Sequence, residues 1–128
     1  MTEFSNKYDL EERTAKFGEN VIEFCQKVEQ TVITRPLISQ LIRSATSVGA
    51  NYAEANSASS QKDFKNKIFL CKKEAQETWY WLRMFAKALP DTKDRLRQLS
   101  QECQEFILIF GRIVSTLNKK NGKLKLDD

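Results

Sequence analysis

The chain has 128 residues, of which 41% are hydrophobic and 30% charged, and its 21 basic and 17 acidic side chains leave a formal net charge of +4. That length suits one domain able to bury a core without metals or disulfides, and no apolar run approaches the roughly 18 residues that a bilayer-spanning helix needs. Histidine is absent altogether, which removes His-ligated zinc, the zincin motif and the serine triad in its usual form.

Residues 1–8 show no periodicity and are expected to form a disordered lead-in. They mix acidic and polar residues and lack the apolar segment of a signal peptide, so the expected location is cytoplasmic. Asp9 reads as an N-cap with Glu12 three positions on, a D-x-x-E variant of the capping box. From Leu10, the positions Thr14, Phe17, Val21, Phe24 and Val28 alternate steps of four and three, which predicts a first helix to about Glu29 with acids on its wet face. The β-branched run Thr31, Val32, Ile33, Thr34 interrupts that rhythm, and Thr34 with Pro36 suits a new helix start. The second helix carries the stripe Ile38, Leu41, Ala45, Val48, Tyr52 and Ala55. Beside it Ser44, Ser47, Asn51 and Glu54 form a polar stripe, and Ser44, Ala45, Ser47, Gly49 and Ala50 are small enough for a neighbouring backbone to come close.

Asn56–Ser60 is a polar break whose serines can cap a third helix, with Asp63 as its first-turn acid. That helix is the organising stretch of the sequence. Phe64, Ile68, Cys71, Ala75, Thr78, Leu82, Phe85 and Leu89 make a complete core seam. Leu70, Trp81, Met84 and Ala88 fall well away from it, and Lys62, Phe69, Lys73, Tyr80 and Lys87 point nearly opposite. Pro90 ends the run, and Asp91 or Thr92 is expected to cap a fourth helix. Leu96, Leu99, Cys103, Phe106, Phe110, Ile113 and Leu117 give that helix its seam, with Ile107 and Val114 alongside. Four helices with short links predict an all-α, antiparallel up-down-up-down four-helix bundle over residues 9–118, followed by a mobile basic tail over 119–128.

Charge is uneven. Residues 1–30 hold four basic side chains against seven acids, net −3, whereas residues 59–90 hold seven against three, net +4. Cys25, Cys71 and Cys103 each lie on or beside an apolar stripe and are expected to be reduced, buried thiols. There is no P-loop, no G-x-G-x-x-G and no E-x-x-H pair, so no enzyme, cofactor or metal site is expected. Glu11/Glu12 and Glu102/Glu105 read as solvated helix surface, while Glu54 and Glu74 neighbour apolar positions and suit polar contacts across helices.

Two readings of the third helix stay open. Lys62, Lys65, Lys72, Lys73, Arg83 and Lys87 could neutralise phosphates while Phe69, Trp79, Tyr80 or Trp81 stack on unpaired bases. Alternatively, Leu70, Trp81, Met84 and Ala88, with Ile107 and Val114 from the fourth helix, form a contact between copies of the chain. The two can also coexist on different parts of one helix.

Gln40 and Arg43 before Ser44-Ala45, the Ser47-Val48 step, the run Asn51-Tyr52-Ala53-Glu54, and Lys73-Glu74-Ala75 to Glu77 leading into Trp81-Leu82 together resemble a bacterial family of four-helix bundles. These are the proteins encoded in intervening sequences of large-subunit rRNA genes, and more closely their relatives, the accessory variability determinant proteins of diversity-generating retroelements. The similarity runs from about Asp9 to Leu117, and Ala55 stands where the family often has glycine. The resemblance implies a homopentamer with a positively charged surface, no catalysis and, for the retroelement relatives, binding to nucleic acid and to a reverse transcriptase. Five copies at +4 each would carry +20 formally. The expected function is therefore a homo-oligomeric, non-enzymatic accessory protein that binds RNA or DNA and no membrane. The alternative is a structural or protein-partner adaptor that binds no nucleic acid.

Overall fold

The computed structural model describes residues 9–127, with side chains to residue 120; the expected lead-in at 1–8 lies outside that range. Among the described residues four α-helices follow one another: α1 (Leu10–Gln26), α2 (Thr34–Asn56), α3 (Gln61–Ala88) and α4 (Lys93–Asp127), with one 3₁₀ turn at Pro90–Thr92. Consecutive helices pack side by side and α1 also meets α4, which closes an antiparallel up-down-up-down bundle.

Local chemistry accounts for most of the boundaries. Asp9 accepts a hydrogen bond from the Glu12 backbone N–H at 3.1 Å, and Ser60 Oγ accepts from Asp63 N–H at 3.0 Å, so both helix starts that the capping pattern predicts are observed. The first helix stops earlier than its rhythm suggests. Beyond Gln26 the chain tightens, with Lys27 N–H bonding to Phe24 C=O and Val28 N–H to Cys25 C=O, and Thr34 Oγ1 then takes the Glu29 carbonyl at 2.6 Å. Thr31 Oγ1 meanwhile accepts from the N–H groups of Ile33 and Thr34, so a pair of threonines pins the α1–α2 link. Neither Asp91 nor Thr92 caps α4 as expected. Thr92 Oγ1 donates back to Leu89 C=O at 2.8 Å, and the 3₁₀ turn carries the chain into the helix. At its far end α4 continues to Asp127, through the stretch where a tail from residue 119 was expected. Lysine and leucine are good helix formers, and the single Gly122 costs only about 1 kcal/mol there.

The core is the set of seams. Phe17, Val21, Leu41, Ala45, Val48, Ile68, Cys71, Ala75, Leu82, Phe85, Leu96, Leu99, Cys103, Phe106 and Phe110 are all buried. Phe17 meets Phe106, and Phe24 meets Phe85, each edge to face at 5.4 Å between ring centroids, so aromatic pairs tie α1 to both α4 and α3. Small residues do the close packing. At Gly49 an added Cβ would lie 3.2 Å from Thr14 Oγ1, so a side chain there would press on α1. Ser44, which the pattern places on a polar stripe, is instead fully buried and accepts a hydrogen bond from Thr78 Oγ1 at 2.9 Å across α2 and α3.

The thiols are free and buried. Burial pushes Cys25 up to about 11, and Cys71 and Cys103 up to about 12. Cys71 and Cys103 also donate to the carbonyls of Val48 and Ala75. Thiols so far from ionisation behave as small hydrophobes rather than nucleophiles.

Candidate nucleic-acid interface

The bundle has two sides on which charge is used differently. On the α2/α3 flank, the Arg43 guanidinium reaches Glu74 at 3.3 Å and also Glu77, while Trp81 Nε1 donates to the same Glu77 carboxylate at 3.4 Å. Hydrogen bonding to Glu77 is what chiefly holds Arg43 in its charged form. Lys67 pairs with Glu54 at 2.8 Å across the same two helices. Glu54 and Glu74 are thus the inter-helix polar contacts that their positions suggested.

A third network joins α1 to α4. Arg13 binds Glu102 at 2.6 Å and Glu105 at 2.8 Å, with its guanidinium 5.2 Å from the Phe106 ring centroid. The Glu102/Glu105 pair, expected to be solvated surface, is therefore a clamp. The hydrogen bond from Arg13 outweighs partial burial and holds the Glu102 carboxyl below the usual carboxylate range.

The α3/α4 flank is different. Along α3 the positions Lys62, Lys65, Phe69, Lys72, Gln76, Trp79, Tyr80, Arg83 and Lys87 recur at helical spacing on the side away from Arg43. No carboxylate falls among them. None of Lys62, Lys65, Lys72, Lys73, Arg83 and Lys87 is ion-paired with a described residue, although Lys73 sits at the edge of the strip, close enough to Glu77 to favour its ionised form. Phe69 is 55% exposed, Tyr80 49% and Trp79 37%. On α4 a second strip, Lys93, Arg97, Gln101, Gln104, Leu108 and Arg112, is exposed along its whole length. The Lys72 stem lies beside Gly111, 3.8 Å from where a Cβ would stand, so the lysine bridges toward α4. Trp79, Arg83, Lys93, Arg97, Gln101 and Gln104 line one groove of about 400 Å³ between the helices.

The expected copy-to-copy contact does not form one patch. Leu70, Trp81, Met84 and Ala88 share a half-buried ridge on the α2/α3 flank, with Trp81 packed on the core and bonded to Glu77. Ile107 and Val114 are also half-buried against the core, but on the side of α4 that turns toward α3. The hydrophobic groups most exposed to solvent lie elsewhere: Val32 at 85%, Ile33 at 63%, Leu108 at 58% and Phe69 at 55%. Reading α3 by itself left out the α4 cations Lys93, Arg97 and Arg112. Their signal was the i, i+4 spacing of Lys93, Arg97 and Gln101, which becomes informative only when set beside Arg83 across the groove.

The model of the 23S rRNA-intervening sequence proteins matches residues 6–111. The chain belongs to that family. No curated protein matches it. Among solved structures, a protein of unknown function from the S23 ribosomal protein family of Bacteroides thetaiotaomicron is 27% identical, with a TM-score of 0.73 over 81% of this chain and 96% of that one. Membership accounts for the bundle. It also explains why the residues that carried the resemblance say little about activity: Arg43, Ser44, Glu74, Glu77 and Trp81 all serve the α2/α3 joint. Among the described residues no helix is long and apolar enough to cross a membrane.

Proposed function

We propose that this family member is a self-associating, non-enzymatic cytoplasmic protein that binds nucleic acid, RNA in the first instance, through the α3/α4 flank. The observation that carries this reading is the strip of unpaired cations and exposed rings from Lys62 to Lys87, with no acid among them. Around Arg43 positive charge is matched within the fold, whereas the α3 strip leaves its cations unpaired with any described residue. Unmatched cations next to flat aromatic faces suit phosphates and bases.

Self-association, with five copies as the assembly number, follows from the family resemblance and is supported by the apolar groups a lone copy leaves wet. The half-buried ridge at Leu70, Met84 and Ala88 is the contact surface we assign to it. Light scattering at micromolar concentration should return a multiple of the chain mass; a monomeric mass removes this part. Structured RNA, single strands or both should be bound at ~50 mM salt. Absence of binding to both removes the nucleic-acid part.

One observation favours a second reading, a protein-partner adaptor. Val32 and Ile33 are held in solvent on a link stapled by Thr31 and Thr34, a rigid presentation that suits a protein pocket, and a reverse transcriptase is the partner class that the retroelement resemblance suggests. Replacing Lys62, Lys65 and Lys73 by glutamate separates the two. Nucleic-acid binding should collapse in the first reading, whereas partner binding and assembly persist in the second.

A further inference from the structure

Within the flank just described, one place differs from the rest. Most of the α3 strip is convex helix surface, where lysines can attract a polyanion without choosing its form. Between α3 and α4, Trp79, Arg83, Lys93, Arg97, Gln101 and Gln104 instead line an open concavity of about 400 Å³. Its composition is selective. Three cations come from two helices, none paired with a described residue, and none of the lining side chains is acidic. Two glutamines add amide donors and acceptors that can read a base edge, and an indole 37% exposed offers a flat face. The interior gives no competing lead, since every buried side-chain polar atom among the described residues is already hydrogen-bonded.

We infer that this groove is a single-strand subsite: one unpaired nucleotide stacks on Trp79 while Arg83, Lys93 and Arg97 each hold one backbone phosphate near it. The inference rests on the nucleic-acid reading above and narrows it to unpaired strands. A duplex keeps its bases stacked inside and can offer the groove only backbone. An acidic peptide would satisfy the cations but leave the indole and the amides without their partners. Ribose and deoxyribose strands share the chemistry used here, so both should enter.

The test uses the intact protein with oligo(U), oligo(dT) and a duplex of matched length. Tryptophan fluorescence should be quenched by both single strands and not by the duplex, and Trp79→Phe, which keeps Trp81, should lose the quench. Trp79→Ala should weaken single-strand affinity on the order of tenfold. Arg83→Gln with Arg97→Gln should lower the magnitude of the slope of log affinity against log salt by about 1.4, since each phosphate contact to a single strand is worth about 0.7. Arg43→Gln, on the opposite flank, should change neither. If the Arg83/Arg97 double variant binds as the parent does while Lys62→Gln with Lys65→Gln and Lys73→Gln abolishes binding, the groove is refuted and the broader reading survives. Equal affinity for the duplex without quenching also refutes the groove. Failure of every nucleic acid to bind the parent overturns both.

Discussion

The α2/α3 flank and the α3/α4 flank share a helix yet use charge in opposite ways. On the first, Arg43 and Lys67 are answered by Glu74, Glu77 and Glu54, so their charge is consumed in holding two helices in register. On the second, Lys72, Arg83, Lys93 and Arg97 have no ion-pair partner among the described residues. Net charge alone does not separate these uses. What does is whether a cation already has its counter-ion within the fold, because an unmatched one can meet a phosphate without giving up an ion pair.

The largest effect should come from the core beneath both flanks: Phe106→Ala removes a fully buried ring that packs on Phe17 and Phe110, and should cost about 3–5 kcal/mol in denaturant unfolding. Assembly and nucleic-acid binding should then fall together, since both need the bundle. A selective loss of one would mean that the flanks do not share a folding unit.

The two tryptophans sharpen the contrast. Trp81 packs on the core and donates to Glu77, so Trp81→Ala should cost about 2 kcal/mol of stability. Trp79 keeps 37% of its surface exposed and is not packed on the core, so Trp79→Ala should cost less than Trp81→Ala, about 1 kcal/mol, while weakening nucleic-acid binding. Equal thermal shifts for the two variants would erase the distinction between structural and recognition aromatics.

The arginines repeat it on a smaller scale. Arg43 is about half exposed, so Arg43→Gln should cost no more than about 1 kcal/mol and leave affinity untouched. Arg97→Gln should do the reverse, with stability unchanged in the same melts and affinity reduced in a filter-binding titration.

Much of this was legible in the sequence, and its gaps have physical causes. The four seams were readable because burial imposes the helical period: Ile68, Cys71, Ala75, Thr78, Leu82 and Phe85 are all buried as their spacing requires. The end of α1 was not, because Thr34 Oγ1 captures the Glu29 carbonyl from the far side of the link, which helical periodicity does not encode. Ser44 looked polar because one helix at a time cannot show that Thr78 waits opposite. The candidate site was half legible for the same reason. Its α3 lysines were visible as a run, whereas the groove needs Lys93, Arg97, Gln101 and Gln104 from another helix, and the register between helices is set by packing rather than by either sequence alone.

The smallest expected effect concerns acid. Because Arg13 holds the Glu102 carboxyl below its ordinary range, that carboxylate contributes stability that is fully present above the unfolded value of about 4.3 and is lost as pH falls through the lower folded value. Glu102→Gln should flatten the pH dependence of the melting temperature below about pH 4.5 and leave it unchanged near neutrality. An unchanged acid limb would show that the clamp contributes nothing to the stability of the α1–α4 contact.

The most direct check on the division between the flanks is a salt titration of single-strand affinity for the unmodified protein. Cations left unmatched by the fold must release counter-ions from the strand, so log affinity should fall linearly with log salt, with a slope of about −2 for the three groove cations and steeper if the α3 lysines add to them. A slope near zero, or no binding at ~50 mM salt, would contradict the claim that the charge on the α3/α4 flank is there for a phosphate backbone.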